Sequence, residues 1–126
     1  MRSYNRRMTA PALILFAHGA RDPAWAVPFE RVLARVHVRA PERAPMLAYL
    51  ELMAPDLATA IAAQAARGFD AVRIVPLFLG PGGHLRHDLP RIVDAARARH
   101  PRLQIELAGP AGEDRFVIDA LADYCL

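Results

Sequence analysis

The segment ALILFAHG, residues 12–19, places six consecutive apolar residues before a histidine and a glycine. Such a short apolar run, bounded by residues that favour loops, is typical of a β-strand buried on both faces. Two similar runs follow, at residues 46–50 (MLAYL) and 71–79 (AVRIVPLFL), and a fourth strand is expected at residues 103–108. Segments with helical spacing of apolar residues separate these strands. This alternation predicts a mostly parallel sheet with helices on both faces.

The length of 126 residues, with 54% hydrophobic residues, suits one domain with a single core. We expect residues 10–126 to form one α/β domain and residues 1–9 to be a frayed arm. The favoured strand order is 2-1-3-4, a flavodoxin-like arrangement that places the first strand in the centre of the sheet.

Helix boundaries are expected at capping residues and prolines. Asp22 and Pro23 suit an N-cap and the first turn of the first helix. The second helix is expected over about residues 55–67. Pro90 belongs in the first turns of the third helix, so that helix is expected to begin after Leu85. The apolar residues of the fourth helix are Phe116, Val117, Leu121 and Tyr124.

The charged residues and the single cysteine limit the possible functions. All 16 basic side chains are arginine, against 13 acidic ones, which gives a net charge of +3. This balance could favour an anionic partner, but basic residues on solvated helix faces explain it more simply, and we expect neither a nucleic-acid nor a membrane partner. Cys125 alone excludes an internal disulfide or a multi-cysteine metal site. With no apolar run of membrane-spanning length and no convincing secretory signal, we expect a cytoplasmic protein.

Three potential metal ligands, His18, Glu51 and His84, are each separated from the next by 33 residues. Each comes directly or soon after an apolar run, so all three are expected at the carboxyl edge of one sheet. Two imidazoles and a carboxylate bind divalent transition metals and leave coordination positions open for a substrate. Blander interpretations remain open, since His18 could bond only to loop backbone and Glu51 could be a solvated charge at a strand end.

The residues around His84 admit further roles. Gly82 and Gly83 let a large flat ligand approach the backbone, and a glycine-rich loop opening a helix can also cradle phosphate. His87 and Asp88, three and four residues further on, could orient His84 as outer-sphere partners.

The motifs HG at residues 18–19, LELMAP at 50–55 and GGHLRHDLP at 82–90, in this order, resemble the small CbiX-type sirohydrochlorin chelatases. The resemblance covers residues 12–126. It implies a class II chelatase that inserts a divalent metal into sirohydrochlorin, with His18, Glu51 and His84 as metal-contacting residues. The metal, Co²⁺, Fe²⁺ or Ni²⁺, would be a substrate, and no organic cofactor is expected.

The chemistry of insertion agrees with this resemblance, because His18 and His84 could each accept a pyrrole proton as well as bind metal. Sirohydrochlorin is a polycarboxylate, so Arg21 and Arg86 are candidate carboxylate clamps. One domain offers a macrocycle only one wall, which favours a homodimer. Two other functions stay open: a non-catalytic metal or tetrapyrrole carrier, and a flavodoxin-like phosphate or nucleotide-binding module.

Overall fold

A single four-stranded parallel sheet forms the centre of the molecule, in a computed structural model that describes residues 10–80 and 82–126 except for the side chain of His84. The predicted arm, residues 1–9, lies outside the described residues. The strands are β1 (Ala12–Ala17), β2 (Met46–Tyr49), β3 (Ala71–Pro76) and β4 (Gln104–Leu107). The helices are α1 (Val27–Arg39), α2 (Leu57–Ala66), α3 (Gly83–Arg99) and α4 (Arg115–Cys125). Short 3-10 helices lie at Pro23–Ala26, Pro41–Arg43 and Ala111–Glu113.

The strand order is β2-β1-β3-β4, as predicted. Strand β1 pairs in parallel with β2 on one side and with β3 on the other, so that Phe16 lies opposite both Ala48 and Pro76. All six residues of β1 are buried. A strand that is hydrogen-bonded along both edges and covered on both faces needs an unbroken apolar sequence, which explains the run at residues 12–17.

Helices cover both faces of the sheet, which confirms the predicted layers. On one face, α2 and α3 pack over Ile14 and Phe16, and together they form the larger core cluster. On the other face, α1 and the 3-10 helix before it pack over Leu15 and Tyr49, through Phe29 of α1 and Trp25 of the 3-10 helix. Within the described residues no helix is long and apolar enough to cross a membrane.

The start of α3 differs from the sequence prediction. The helix begins at Gly83 and contains Pro90 in its interior, so the expectation that it begins after Leu85 was wrong. Pro90 has no N–H to donate to the carbonyl of Arg86 four residues earlier, which removes one helical hydrogen bond. The packing of Leu85 and the following apolar side chains into the core stabilises the helix through this position.

The ends of the first two helices follow local capping chemistry. Asp22 caps the 3-10 helix that precedes α1, because its Oδ1 accepts from the N–H of Ala24 at 2.9 Å. Helix α2 is capped by Asp56, whose Oδ1 accepts from the N–H of Thr59 at 2.8 Å. Beyond its end, Gly68 takes a positive φ of 96°.

Helix α4 packs against the sheet less than the other helices do, and none of its residues is buried. Its apolar side chains include Phe116, which is 69% exposed, and Tyr124, which is 89% exposed. The helix contacts mainly the 3-10 helix that precedes it. The described chain therefore leaves an amphipathic helix with its apolar side chains in solvent.

The Asp56 cap predicts a pH-dependent contribution to stability. Hydrogen bonds from Thr59 hold the pKa of Asp56 below its usual value. The cap therefore stabilises the fold above the pKa of unfolded aspartate, and this stabilisation is lost as the pH falls through the lower folded-state pKa. At neutral pH, Asp56→Ala should lower the free energy of unfolding by about 1 kcal/mol.

Asp56→Asn is the matched control, because asparagine caps a helix without titrating in this range. Denaturant unfolding between neutral and acidic pH should show the wild type losing its advantage over Asp56→Ala as the pH falls. The Asp56→Asn variant should keep its own advantage. Parallel pH profiles for all three proteins would contradict this account of the cap.

Candidate metal centre

The structure brings together His18 and Glu51, two of the three predicted metal ligands. His18 follows β1, and Glu51 lies two residues after β2, at the carboxyl edge of the sheet. Their side chains meet through the Nε2 atom of His18 and the Oε2 atom of Glu51, 2.9 Å apart. The side chains are 51% and 55% exposed, respectively. The predicted convergence of these two residues is thus confirmed, and the pair is open to a ligand from solvent.

Backbone hydrogen bonds beyond the strand ends hold this pair in place. The N–H of Leu50 donates to the carbonyl of Ala17 at 3.0 Å, and the N–H of Glu51 donates to the carbonyl of His18 at 3.1 Å. The pairing of β1 with β2 therefore continues up to the two functional residues. Their side chains start from backbone positions that are fixed relative to each other.

Gly19 makes this close approach possible. It has a φ of 94°, in the left-handed region that favours glycine. A Cβ at this position would overlap the carbonyl oxygen of Glu51. Glycine is therefore required here both for its backbone conformation and for the absence of a side chain.

The geometry of the pair suits adjacent ligands on one ion. A transition metal binds imidazole nitrogen and carboxylate oxygen at about 2.1 Å, so two such ligands at a right angle lie about 3 Å apart. The observed separation of 2.9 Å is close to this value. A metal ion bound by both atoms would replace the proton shared by His18 and Glu51 and would lie off the line that joins them, so both side chains would rotate towards it.

The third predicted ligand is placed by its backbone only. His84 is the second residue of α3, and it follows the loop after β3, the strand next to β1. Its side chain lies outside the described part of the structure. Among the side chains that are described, no group of three potential ligands could hold a metal ion. The role of His84 therefore stays a prediction.

The segment before His84 is held by a contact that the sequence did not reveal. The N–H of Gly112 donates to the carbonyl of Phe78 at 2.8 Å. A Cβ at Gly112 would overlap the backbone of Leu79, so the 3-10 helix Ala111–Glu113 fits closely against this segment. In the sequence, the one sign of this contact was a glycine soon after the fourth strand. Its partner lies more than 30 residues earlier in the chain, so the sequence could not identify it.

The remaining predicted site residues lie around the same edge. Gly82 and Gly83 are exposed, and no atom in the described part of the structure would obstruct a Cβ at either position. Arg21 and Arg86 are also exposed. Their predicted contacts with substrate stay predictions.

The predicted outer-sphere partners lie on the same helix as His84. His87 is exposed and Asp88 is half-buried, and both belong to α3. At three and four positions after His84 they share its side of the helix. Since the side chain of His84 is outside the description, their contact with it stays a prediction.

An aromatic cluster supports the end of β2 beneath Glu51. Tyr49 is buried, and its ring centroid lies 6.4 Å from that of Trp25, which in turn packs on Phe29 at 4.6 Å. Burial, and secondarily the charge of Glu30, raise the pKa of Tyr49 above its usual value, so its phenol stays protonated at neutral pH. The cluster thus provides a neutral, rigid support for the strand end.

Comparison with protein families gives a match over almost the whole described chain. The CbiX family model matches residues 12–125. A sirohydrochlorin cobaltochelatase of Saccharolobus solfataricus is 27% identical over 118 residues, which cover 86% of this chain and 88% of that protein. A sirohydrochlorin ferrochelatase of Bacillus subtilis is 29% identical over 112 residues. That match covers 87% of this chain but only 42% of the Bacillus protein, so the chain spans less than half of this longer relative.

Solved structures show the same fold. A putative cobalamin biosynthesis CbiX protein from Marinobacter aquaeolei superposes with a TM-score of 0.80 at 34% identity, covering 92% of this chain and 94% of that one. The sirohydrochlorin chelatase SirB from Bacillus subtilis subspecies spizizenii, in complex with cobalt, gives a TM-score of 0.79 at 25% identity. In that case the match covers 91% of this chain and 49% of SirB.

Gly19→Ala should disrupt the His18–Glu51 pair, because the added Cβ would displace the backbone of Glu51. Gly68→Ala is a matched control, since Gly68 also has a positive φ but would meet no atom within 4 Å. The control should lose about 1–2 kcal/mol of stability from backbone strain alone.

Calorimetric titration with Co²⁺ should show weaker binding by Gly19→Ala, at a temperature where both variants are folded. The Gly68→Ala control should bind Co²⁺ like the wild type. Equal Co²⁺ affinity of wild type and Gly19→Ala would contradict the role assigned to this close approach.

Proposed function

Because this chain belongs to the CbiX family, we propose that it is a chelatase that inserts a divalent metal ion into sirohydrochlorin. The observation that carries the proposal is the contact between His18 and Glu51 at the carboxyl edge of the sheet. This pair offers one imidazole and one carboxylate at the spacing of adjacent metal ligands. The proposal includes His84 as the third ligand, supplied by the start of α3.

Insertion requires the metal to exchange water for protein ligands and then for pyrrole nitrogens. Glu51 lowers the charge of the bound ion, and the imidazole of His18 holds it while leaving positions open to the tetrapyrrole. Two pyrrole N–H protons must leave as the metal enters. His18 and His84 are the proposed acceptors, because a neutral imidazole can take up a proton near neutral pH.

The surroundings of the pair suit a flat polycarboxylate. Leu52 and Leu79 are 59% and 66% exposed at loops of the same edge, and they offer apolar contacts to a ring face. Arg21 and Arg86 are exposed, and each lies within three residues of a proposed ligand histidine. Their guanidinium groups could bind carboxylates of the ring. The open space around Gly82 and Gly83 would let the ring approach the loop backbone.

The metal transferred is proposed to be Co²⁺, Fe²⁺ or Ni²⁺, since a site of two histidines and a glutamate accepts each of them. The relatives named above include both a cobaltochelatase and a ferrochelatase. We propose the cytoplasm as the place of action, because the exposed free thiol of Cys125 suits a reducing compartment.

The combined substitution of His18 and His84 by alanine should abolish enzymatic insertion. Without the two imidazoles, the site keeps one carboxylate and loses two metal ligands and both proposed imidazole bases, so the rate of Co²⁺ insertion should fall at least about 100-fold. The absorbance of sirohydrochlorin during insertion, corrected for the uncatalysed reaction, measures this rate.

His37→Ala is the control, because His37 is exposed on α1, away from the site, and its loss should leave the rate unchanged. Wild-type turnover by the double histidine variant would refute the triad. Stoichiometric binding of metal or pigment by the wild type without turnover would favour a carrier instead. Thermal stabilisation by phosphate or nucleotide but not by metal would favour the phosphate-binding alternative.

We also propose that the active form is a homodimer. A pocket normally encloses most of its ligand, whereas one sheet edge provides a single wall for a macrocycle. Helix α4 presents Phe116 and Tyr124 to solvent and contacts little of the described part of its own chain, as expected of a surface covered by a second copy. The Bacillus relative, more than twice as long as the matched segment, has the length to supply two such walls from one chain.

Light scattering coupled to gel filtration should give the mass of a dimer for the wild type. Substitution of both Phe116 and Tyr124 by glutamate should give a monomer, because charges would replace the apolar contacts of α4. Val38→Glu, at a 79% exposed position of α1, is the control and should remain dimeric. A catalytically competent wild-type monomer that stays monomeric with sirohydrochlorin would overturn the dimer proposal.

A further inference from the structure

A pocket lies beside the candidate metal centre, between α3 and the carboxyl ends of β3 and β4. It has a volume of about 180 Å³. Its wall is formed mainly by apolar side chains, among them Phe78, Leu85 and Leu107. Among the described residues that line it, Arg86 and Glu113 are charged, and both are exposed. The pocket is thus an apolar hollow with one positive and one negative group within reach of solvent.

The volume excludes a whole tetrapyrrole as the occupant. Pockets that enclose a drug-sized molecule have volumes of about 300–1,000 Å³. The space of about 180 Å³ fits one substituted pyrrole edge, with the rest of the ring outside. An occupant of this kind must extend from the pocket towards a second point of attachment.

The position of the pocket relative to His18 and Glu51 matches such an occupant. Neighbouring strands are about 4.8 Å apart, so a point between the ends of β3 and β4 lies about 10 Å along the sheet edge from the His18–Glu51 pair, which lies between the ends of β1 and β2. The rim substituents of a tetrapyrrole lie at a comparable distance from its central nitrogens. A ring whose centre is at the metal pair can therefore place one rim substituent in the pocket.

Arg86 favours a carboxylate at the end of that substituent. The guanidinium of Arg86 can bind a carboxylate through paired N–H donors. Glu113 would repel the same carboxylate, so we expect it to weaken binding.

We propose that this pocket holds one carboxyalkyl-substituted pyrrole edge of the tetrapyrrole, and that Arg86 binds its carboxylate. The proposal rests on the proposed chelatase function and adds an orientation to it. The ring lies along the carboxyl edge of the sheet, with its centre at His18 and Glu51 and one edge under the first turns of α3. Pocket residues then determine which peripheral substituents are accepted.

The test is a fluorescence titration of metal-free protein with sirohydrochlorin. Arg86→Gln should weaken binding about 10-fold or more, because a charged hydrogen-bonding partner is lost. Arg91→Gln is the matched control, since Arg91 is exposed on the same helix and does not line the pocket. Glu113→Gln should strengthen binding, because the repelling charge is removed. None of the three should change the affinity for Co²⁺ alone.

Two further measurements distinguish binding of a carboxylate in this pocket from a general effect of the Arg86 charge on affinity. The methyl ester of sirohydrochlorin should bind wild type and Arg86→Gln equally, because its carboxylates are blocked. Ala108→Leu should also weaken binding of sirohydrochlorin, since Ala108 is half-buried and lines the pocket. Melting temperatures show whether each variant is folded. If Ala108→Leu does not fold, Arg86→Gln still tests the proposal, because Arg86 is exposed and its substitution should not disturb the fold.

The outcomes distinguish the pocket from the function on which it rests. If the wild type binds sirohydrochlorin and inserts metal while Arg86→Gln matches Arg91→Gln, the pocket proposal is overturned and the chelatase proposal stands. Equal weakening of ester binding by Arg86→Gln would also overturn it. If the wild type neither binds nor metallates sirohydrochlorin, both proposals fall.

Discussion

The position of β1 in the middle of the sheet is the constraint on which the candidate site depends. This strand is hydrogen-bonded to β2 and to β3, and all six of its residues are buried. A strand held in this way cannot shift along its axis by one residue without breaking two ladders and exchanging the side chains that pack on its two faces. The residue that follows it, His18, therefore has a fixed height at the sheet edge. The loops after β2 and β3 meet it there because parallel strands end on the same side.

Within this frame, the His18–Glu51 pair contributes to binding more than to stability. Both side chains are about half exposed, and ion pairs in such surroundings contribute only about 0–1 kcal/mol to folding. The pair can thus open for a metal ion at small cost. Gly19 and the backbone bonds beyond the strands hold the two residues near each other without a metal. The entropy of bringing two ligands together is already lost on folding, which favours metal binding.

The other half of the site is built on different elements. The segment before His84 is held by a hydrogen bond from Gly112, which lies more than 30 residues later in the chain. Helix α3 begins directly after the glycine-rich loop. Pro90 weakens the hydrogen bonding of α3 where that helix borders the pocket. A rigid wall at β1 and β2 thus faces a helix start with open space around its glycines. This asymmetry suits a flat ligand that enters from the side of α3 and is held there by one edge of its ring.

The sequence by itself determined the strand order and the meeting of His18 with Glu51. Both follow from short apolar runs and the right-handed connections between parallel strands, which are local or general rules. Only the tertiary structure decided that α3 passes through Pro90, because burial of its apolar side chains outweighs one lost hydrogen bond. It also decided the contact of Gly112 with the backbone of Leu79 and the exposure of α4. These features depend on residues far apart in the chain, and a pattern of apolar spacing shows that a helix has an apolar face without showing what that face packs against.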